Sequence, residues 1–137
     1  MDLIWHVFWS AIISKLLGFE AGEILFIILG SVIIDIDHIF YMVFCMKIKS
    51  LKEMIKFHRT NFKTMTPHFY ILHFLELSIV LLIFSYITNQ NIIFLISFGM
   101  LLHWIADAVK YIWFYKSVFP WIKYYSLIVY IRSKFIN

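Results

Sequence analysis

Charged residues are scarce in this sequence, and cysteine, glycine and proline are rare as well. Only 15% of the 137 residues are Asp, Glu, Lys or Arg, whereas 63% are hydrophobic. About one quarter of the residues of a typical soluble domain are charged. The charged residues of this chain are too few to cover the surface of a soluble domain of its size. The scarcity argues against a soluble protein and predicts a single domain, residues 1–137, embedded in a lipid bilayer.

Other absences narrow the chemistry. The single cysteine, Cys45, excludes an internal disulfide, and its apolar neighbours indicate a small buried hydrophobic side chain rather than a nucleophile. The sequence contains no glycine-rich loop of the kind that binds nucleotide cofactors. The N-terminal stretch lacks the basic residues and the cleavage site of a signal peptide, so we expect it to be retained.

Long apolar runs make up most of the chain. A helix needs about 20 apolar residues to cross the hydrocarbon core of a bilayer, and the clearest candidates are 24–46, 67–87 and 92–109. The stretch 1–19 and the aromatic tail, 116–137, could either span the bilayer or lie along its interface. We therefore predict an all-α integral membrane bundle of about four transmembrane helices, with a further apolar C-terminal segment.

The one strongly polar loop, 47–66, is rich in Lys and Arg and contains a single acid, Glu53. Basic residues favour cytoplasmic loops, so we expect this loop inside the cell and the turn at 88–91 outside. The expected location is the plasma, or inner, membrane, where lipid surrounds the protein. The sequence does not indicate an oligomeric state. The net charge of +4 could indicate nucleic-acid binding, but basic residues that flank apolar segments argue against it.

Ionisable side chains occur inside the apolar segments. An Asp within the bilayer core costs about 2.5–3.5 kcal/mol, so such a group normally faces a partner or a water-filled cavity. Three acid–imidazole pairs have spacings of three or four residues, which place both members on one face of a helix. The pairs are Asp35 and His38, His73 and Glu76, and His103 and Asp107. All three lie in the half of the bilayer next to the basic loop.

These pairs predict a metal site. Imidazole and carboxylate groups on facing helices are how helical bundles bind metal ions, including clusters of two. The donor types suit zinc, and also manganese or iron. The predicted ligands are His6, Asp35, Asp37, His38, His58, His68, His73, Glu76, His103 and Asp107. The simpler interpretation of any one of them is a hydrogen bond to a neighbouring helix.

The order of short motifs resembles a known family. The motifs are Asp35-Ile36-Asp37-His38, His58-Arg59, Thr66-Pro67-His68 and the His103 and Asp107 pair. They resemble the membrane-bound metal-dependent hydrolases of the LexA-binding inner-membrane type, a family distantly similar to zinc-dependent phospholipase C. The resemblance covers most of residues 1–107. The sequence departs from the family pattern at Ile34, where Pro is usual, and at Phe69, where Ser is usual.

The resemblance implies a phosphoesterase. We therefore predict a metal-dependent hydrolase that acts at the cytoplasmic face on a phosphorylated lipid or small molecule. Metal ions would lower the pKa of a bound water and stabilise the oxyanions of an in-line displacement. Asp35 is the predicted residue that orients or deprotonates that water, and the guanidinium of Arg59 could hold a phosphate.

Two alternatives come from other functional classes. A transporter could use the same acids and imidazoles to pass protons or metal ions, but its path should continue to the outer face. The outer halves of the central segments offer only weak polar groups such as Ser31 and Ser97. A structural membrane adaptor, in which the pairs merely hold helices together, predicts no bound metal.

Overall fold

The structure, a computed structural model, describes residues 3–50, 52–57, 70–116, 122 and 125–135. Within these ranges every regular element is helical and no strand occurs, which confirms the all-α prediction. The elements are α1 (Leu3–Leu16), α2 (Ala21–Ile33), α3 (Ile36–Phe40), a π-helical turn (Tyr41–Cys45), α4 (Leu75–Ile87), α5 (Asn91–Tyr115) and α6 (Leu127–Phe135). The stretch 52–57 is also helical.

Two helical stretches are long and apolar enough to cross a membrane. They are Ala21–Cys45, with 25 residues, and Asn91–Trp113, with 23 residues. These stretches overlap the predicted segments 24–46 and 92–109. Helices α1 and α4 are apolar but have only 14 and 13 residues, short of the roughly 20 that a perpendicular crossing requires. In the described residues, therefore, two of the four predicted crossings meet the length requirement.

The third apolar segment becomes helical later than predicted. Residues 70–74 form a turn, and Phe74, with extended backbone torsions, immediately precedes α4. The carboxylate of Asp37 accepts the backbone N–H of Leu72 and so holds this turn against α3. His73 consequently precedes the helix that carries Glu76. The prediction that these two residues share one helix face is wrong.

Helices α2 and α5 pack together through glycine. A Cβ atom added to Gly30 would lie 2.0 Å from the carbonyl oxygen of Ile96, and one added to Gly99 would lie 1.9 Å from that of Ile27. Neither space can hold a side chain, so the two backbones approach as closely as helices can. Small residues at the contact are how helices pack tightly in membranes.

The first of these two long apolar stretches is interrupted where Asp35 and Asp37 lie. Helix α2 ends at Ile33, a turn at residues 34–35 follows, and the chain re-enters a helix at Ile36. The π-helical turn then brings Cys45 to the surface, where its side chain is exposed. The prediction that Cys45 is buried is wrong.

Many polar side chains are buried in this fold, beside an apolar core, and many large apolar side chains are exposed. The buried polar residues include many serines of the helices: Ser10, Ser14, Ser31, Ser78, Ser85 and Ser97. Large apolar side chains cover the outside instead, among them Ile4, Leu25, Ile83 and Trp113, each more than half exposed. The hydroxyls of Ser85 and Ser97 donate to carbonyl oxygens of their own helices, of Leu82 and Ile93. Their small size, rather than a polar path, accounts for their interior positions.

Candidate metal centre

Four parts of the fold bring imidazoles and carboxylates to one end of the bundle. His6 lies in the first turns of α1, and Asp35 lies in the break between α2 and α3. His73 belongs to the turn before α4, while His103 and Asp107 are one turn apart on α5. Because α1 runs antiparallel to α2, and α4 antiparallel to α5, these positions meet at the same level. We call these five residues and His38 the His/Asp cluster.

The Oδ1 atom of Asp35 occupies the middle of this cluster. It lies 3.7 Å from Nε2 of His38, 3.9 Å from Nε2 of His73 and 3.9 Å from Nε2 of His103. One carboxylate oxygen is thus surrounded by imidazoles from three different elements. Asp35 and His38 retain 17% and 15% of their side-chain surface exposed. The cluster is therefore less completely covered on their side.

Asp107 joins the other side of the cluster. Its Oδ1 lies 3.6 Å from Nε2 of His6, and its Oδ2 lies 3.6 Å from Nε2 of His103. The rings of His6 and His103 stack with their centroids 3.8 Å apart and their planes 14° apart. His6, His103 and Asp107 are all buried. This half of the cluster is closed to solvent by the helices that build it.

A backbone carbonyl orients the His103 ring. Nδ1 of His103 lies 2.7 Å from the carbonyl oxygen of Ser31. A carbonyl oxygen only accepts hydrogen bonds, so Nδ1 must carry the proton and donate it. In the neutral ring, Nε2 then presents its lone pair toward Asp35 and Asp107. A hydrogen bond of this kind on the far ring nitrogen is typical of a metal-binding histidine.

Several buried polar atoms of the cluster have no hydrogen-bond partner in the described part of the chain. They are Oδ1 of Asp35, both ring nitrogens of His73, Nε2 of His103 and Oδ1 of Asp107. A buried polar atom without a partner is costly, and native proteins contain few. Several of these atoms face one another in small groups, where a cation could satisfy those of each group. The arrangement fits a metal ion better than it fits a hydrogen-bonded helix contact.

Among the residues that the structure describes, three overlapping groups of side chains could hold a metal ion. In each group one ligand atom per residue lies within 4.8 Å of the others. The groups are His6, Asp35 and His103; Asp35, His38 and His73; and His73, His103 and Asp107. Asp35, His73 and His103 each belong to two groups. Shared ligands of this kind permit one ion or two neighbouring ions, with Asp35 as the central carboxylate.

Two predicted ligands are occupied elsewhere. Asp37 accepts the N–H of Leu72, and its Oδ2 lies 3.9 Å from Nδ1 of His73. Its carboxylate therefore holds the turn that carries His73, without a hydrogen bond to the ring. Glu76 accepts hydrogen bonds from Ser126 and Leu127 at the start of α6. Neither carboxylate belongs to the three groups. Glu76 lies outside the cluster because α4 begins after His73, so the two residues do not share one helix face as their spacing predicted.

Three further predicted site residues lie outside the described residues. They are the predicted ligands His58 and His68 and the predicted phosphate-binding residue Arg59. Their roles stay predictions. His38, which adjoins the solvent-exposed side of the cluster, also contacts the ring of Tyr70, with centroids 4.3 Å apart.

Sequence reasoning missed two contributors to the cluster. Tyr125, from the tail, is buried against it and donates a hydrogen bond from its hydroxyl to Oδ2 of Asp107 at 3.4 Å. It lies beside His73, His103, Trp104 and Asp107. Ser31 contributes its backbone carbonyl, which no side-chain pattern reveals. The tail gave no signal beyond its aromatic composition.

No protein-family model, no curated protein and no solved structure matches this chain. The case for its function therefore depends on the geometry of the cluster and on the motif order.

Proposed function

We propose that this chain is an integral membrane, metal-dependent hydrolase, and that a phosphoester in or near the bilayer is its substrate. The observation that carries the proposal is the meeting of Asp35, His73, His103 and Asp107 with unpartnered polar atoms facing one another. These donors come from three separate parts of the fold. Helix packing alone does not require such a concentration of buried ionisable groups.

The donor chemistry favours a divalent transition metal. Neutral imidazoles and carboxylates suit zinc, manganese and iron, whereas magnesium and calcium prefer sites built from oxygen alone. His6, Asp35, His38, His73, His103 and Asp107 would hold the ion or ions. A divalent metal in such a site supplies Lewis acidity toward phosphoryl oxygens and lowers the pKa of water.

Other features of the chain position the ligands, exclude water and leave one side open to substrate. Ser31 orients the ring of His103, and Asp37 holds the turn that carries His73, so both residues are positioned by the fold. The helices exclude water from the His6 and Asp107 side. Asp35 and His38, which are partly exposed, mark the side from which substrate enters. We also propose that Asp35 is the base that accepts a proton from water.

The proposed bilayer location is supported by the surface of the fold. Large apolar side chains cover the outside, while serines and ionisable groups are inside. Exposed apolar surface of this extent is unfavourable in water and favourable in lipid. The two spanning stretches, Ala21–Cys45 and Asn91–Trp113, provide the length that a crossing needs. Lys47, Lys49 and Lys52 follow the first stretch near the cluster end, so we place that end at the cytoplasmic face.

Hydrolysis by the detergent-purified protein tests this proposal. We expect the full chain with added zinc or manganese to hydrolyse at least one member of a panel of phospholipids, phosphomonoesters and nucleic acids. Removal of metal by a chelator should abolish the reaction, and returning the metal should restore it. Hydrolysis that is absent with every metal and every substrate class would contradict the enzyme assignment.

Two variants make the assay specific to the cluster. Asp107→Asn keeps the size of the side chain but removes a charged ligand, so we expect a loss of more than about 100-fold in rate. Lys52→Ala changes an exposed residue of the basic loop and should leave the rate unchanged. Both proteins must remain monodisperse in detergent, because an unpaired buried charge can also unfold the bundle.

A further inference from the structure

The hydrogen bond between Tyr125 and Asp107 links the C-terminal segment to the His/Asp cluster. Tyr125 is buried, and its hydroxyl donates to Oδ2 of Asp107. Oδ1 of the same carboxylate faces His6 and has no hydrogen-bond partner among the described residues. The tyrosine therefore engages one oxygen and leaves the other available to a ligand.

Aromatic contacts fix the Tyr125 ring in the same place. The ring stacks on His73, with centroids 5.5 Å apart and planes 24° apart. Trp104 meets it edge to face at 5.2 Å, and Tyr111 does so at 6.2 Å. Edge-to-face and offset-stacked geometries are the favourable ones for aromatic pairs. Tyr125 thus contacts two members of the cluster, His73 through its ring and Asp107 through its hydroxyl.

Glu76 holds the backbone that carries Tyr125. Its carboxylate accepts the hydroxyl of Ser126 and the N–H groups of Leu127 and Ile128, the latter two at 3.0 and 3.3 Å. These donors form the N-terminus of α6, where unpaired N–H groups and the helix dipole favour a negative charge. Ser126 directly follows Tyr125. A single carboxylate on α4 therefore anchors the segment that delivers the tyrosine.

We infer that Tyr125 is a positioning residue of the metal centre, and that Glu76 acts on the centre through it. This inference depends on the proposed metal-binding function. Tyr125 holds Asp107 in the orientation that directs Oδ1 toward His6. The C-terminal segment is then part of the site rather than only a membrane anchor, and Glu76, which lies outside the cluster, affects metal affinity from α4.

Zinc affinity of the full chain in detergent, measured by competition with a chelating dye, tests the inference. Tyr125→Phe removes only the hydroxyl and keeps the ring contacts, and we expect zinc to bind about 10- to 100-fold more weakly. Glu76→Ala should weaken zinc binding to a similar extent because it releases the start of α6. The double variant should bind zinc no more weakly than the single variant with the lower zinc affinity, because both changes interrupt one connection. Tyr86→Phe, at an exposed tyrosine of α4, is the matched control and should bind zinc as the wild type does.

Two results with zinc-binding wild-type protein would overturn the inference and leave the proposed function standing. One is unchanged affinity in Tyr125→Phe, and the other is strictly additive loss in the double variant. Wild-type protein that binds no zinc, manganese or iron would instead reject the proposed function, and with it the role of Tyr125 at a metal. Hydrogen exchange then decides the role of Glu76 without metal. Glu76→Ala should speed exchange at Leu127 and Ile128, and unchanged exchange would refute the anchoring role.

Discussion

His103 donates the proton on its Nδ1 to the carbonyl oxygen of Ser31, across a distance of 2.7 Å between α5 and α2. Two glycines make this contact between helices feasible. Gly30 is the neighbour of Ser31, and Gly99 precedes His103 by one helical turn. A side chain at either glycine would overlap the backbone of the opposite helix. Tight packing of α2 against α5 and orientation of a predicted metal ligand therefore have the same structural cause.

A methyl group at Gly99 should disrupt both the packing of α2 against α5 and the geometry of the His/Asp cluster. We expect Gly99→Ala to separate the helices, to lower the free energy of unfolding by about 1–3 kcal/mol and to weaken metal binding by lengthening the His103 contact. Thermal unfolding in detergent measures the first effect and zinc titration the second. Gly22→Ala, on α2 at a position with no atom within 4 Å of the added Cβ, is the matched control. A Gly99→Ala protein as stable as this control would mean that the helices do not cross at the glycines.

Asp37 can be tested as an orienting residue rather than a ligand. Its carboxylate accepts the Leu72 N–H, and an Asn at this position keeps an oxygen that can do the same. We therefore expect Asp37→Asn to retain most metal binding. Asp37→Ala should free the turn that carries His73 and so weaken metal binding. Equilibrium dialysis with zinc measures both. A loss in Asp37→Asn as large as that in Asp107→Asn would make Asp37 a ligand after all.

The proposed orientation predicts an asymmetric labelling pattern. In a background with Cys45→Ser, a single cysteine at Asn89, in the exposed turn between α4 and α5, should react with a membrane-impermeant maleimide on intact cells. A cysteine at Lys49, which is also exposed, should react only after the membrane is permeabilised. The reverse pattern would place the His/Asp cluster at the outer face and reject a cytoplasmic substrate.

The sequence predicted those features that depend on local periodicity. Asp35 with His38 and His103 with Asp107 were paired correctly by helical spacing, and the depth of each segment indicated that they would meet. The pairing of His73 with Glu76 failed because the start of α4 depends on a hydrogen bond from Leu72 to Asp37, which lies 35 residues away in the sequence. Spacing alone contains no information about such a contact.

Other parts of the site were beyond prediction for a related reason. The carbonyl of Ser31 is a backbone group, and any residue type supplies one, so only the packing of α2 against α5 selects it. Tyr125 belongs to a tail whose aromatic residues looked alike, and its position next to Asp107 and His73 is a contact between distant parts of the chain. Both depend on tertiary contacts between segments that are distant in the chain.

The metal content of the purified protein shows whether the His/Asp cluster binds a transition metal. Elemental analysis of the detergent-purified wild type, grown and purified without chelators, should find about one or more transition-metal ions per chain, with zinc the expected element. Asp107→Asn should lose most of that metal while remaining folded, and Lys52→Ala should keep it. Wild-type protein that is folded and monodisperse, yet contains no metal and takes up none from added zinc, manganese or iron, would contradict the account. The His/Asp cluster would then be a set of buried helix contacts.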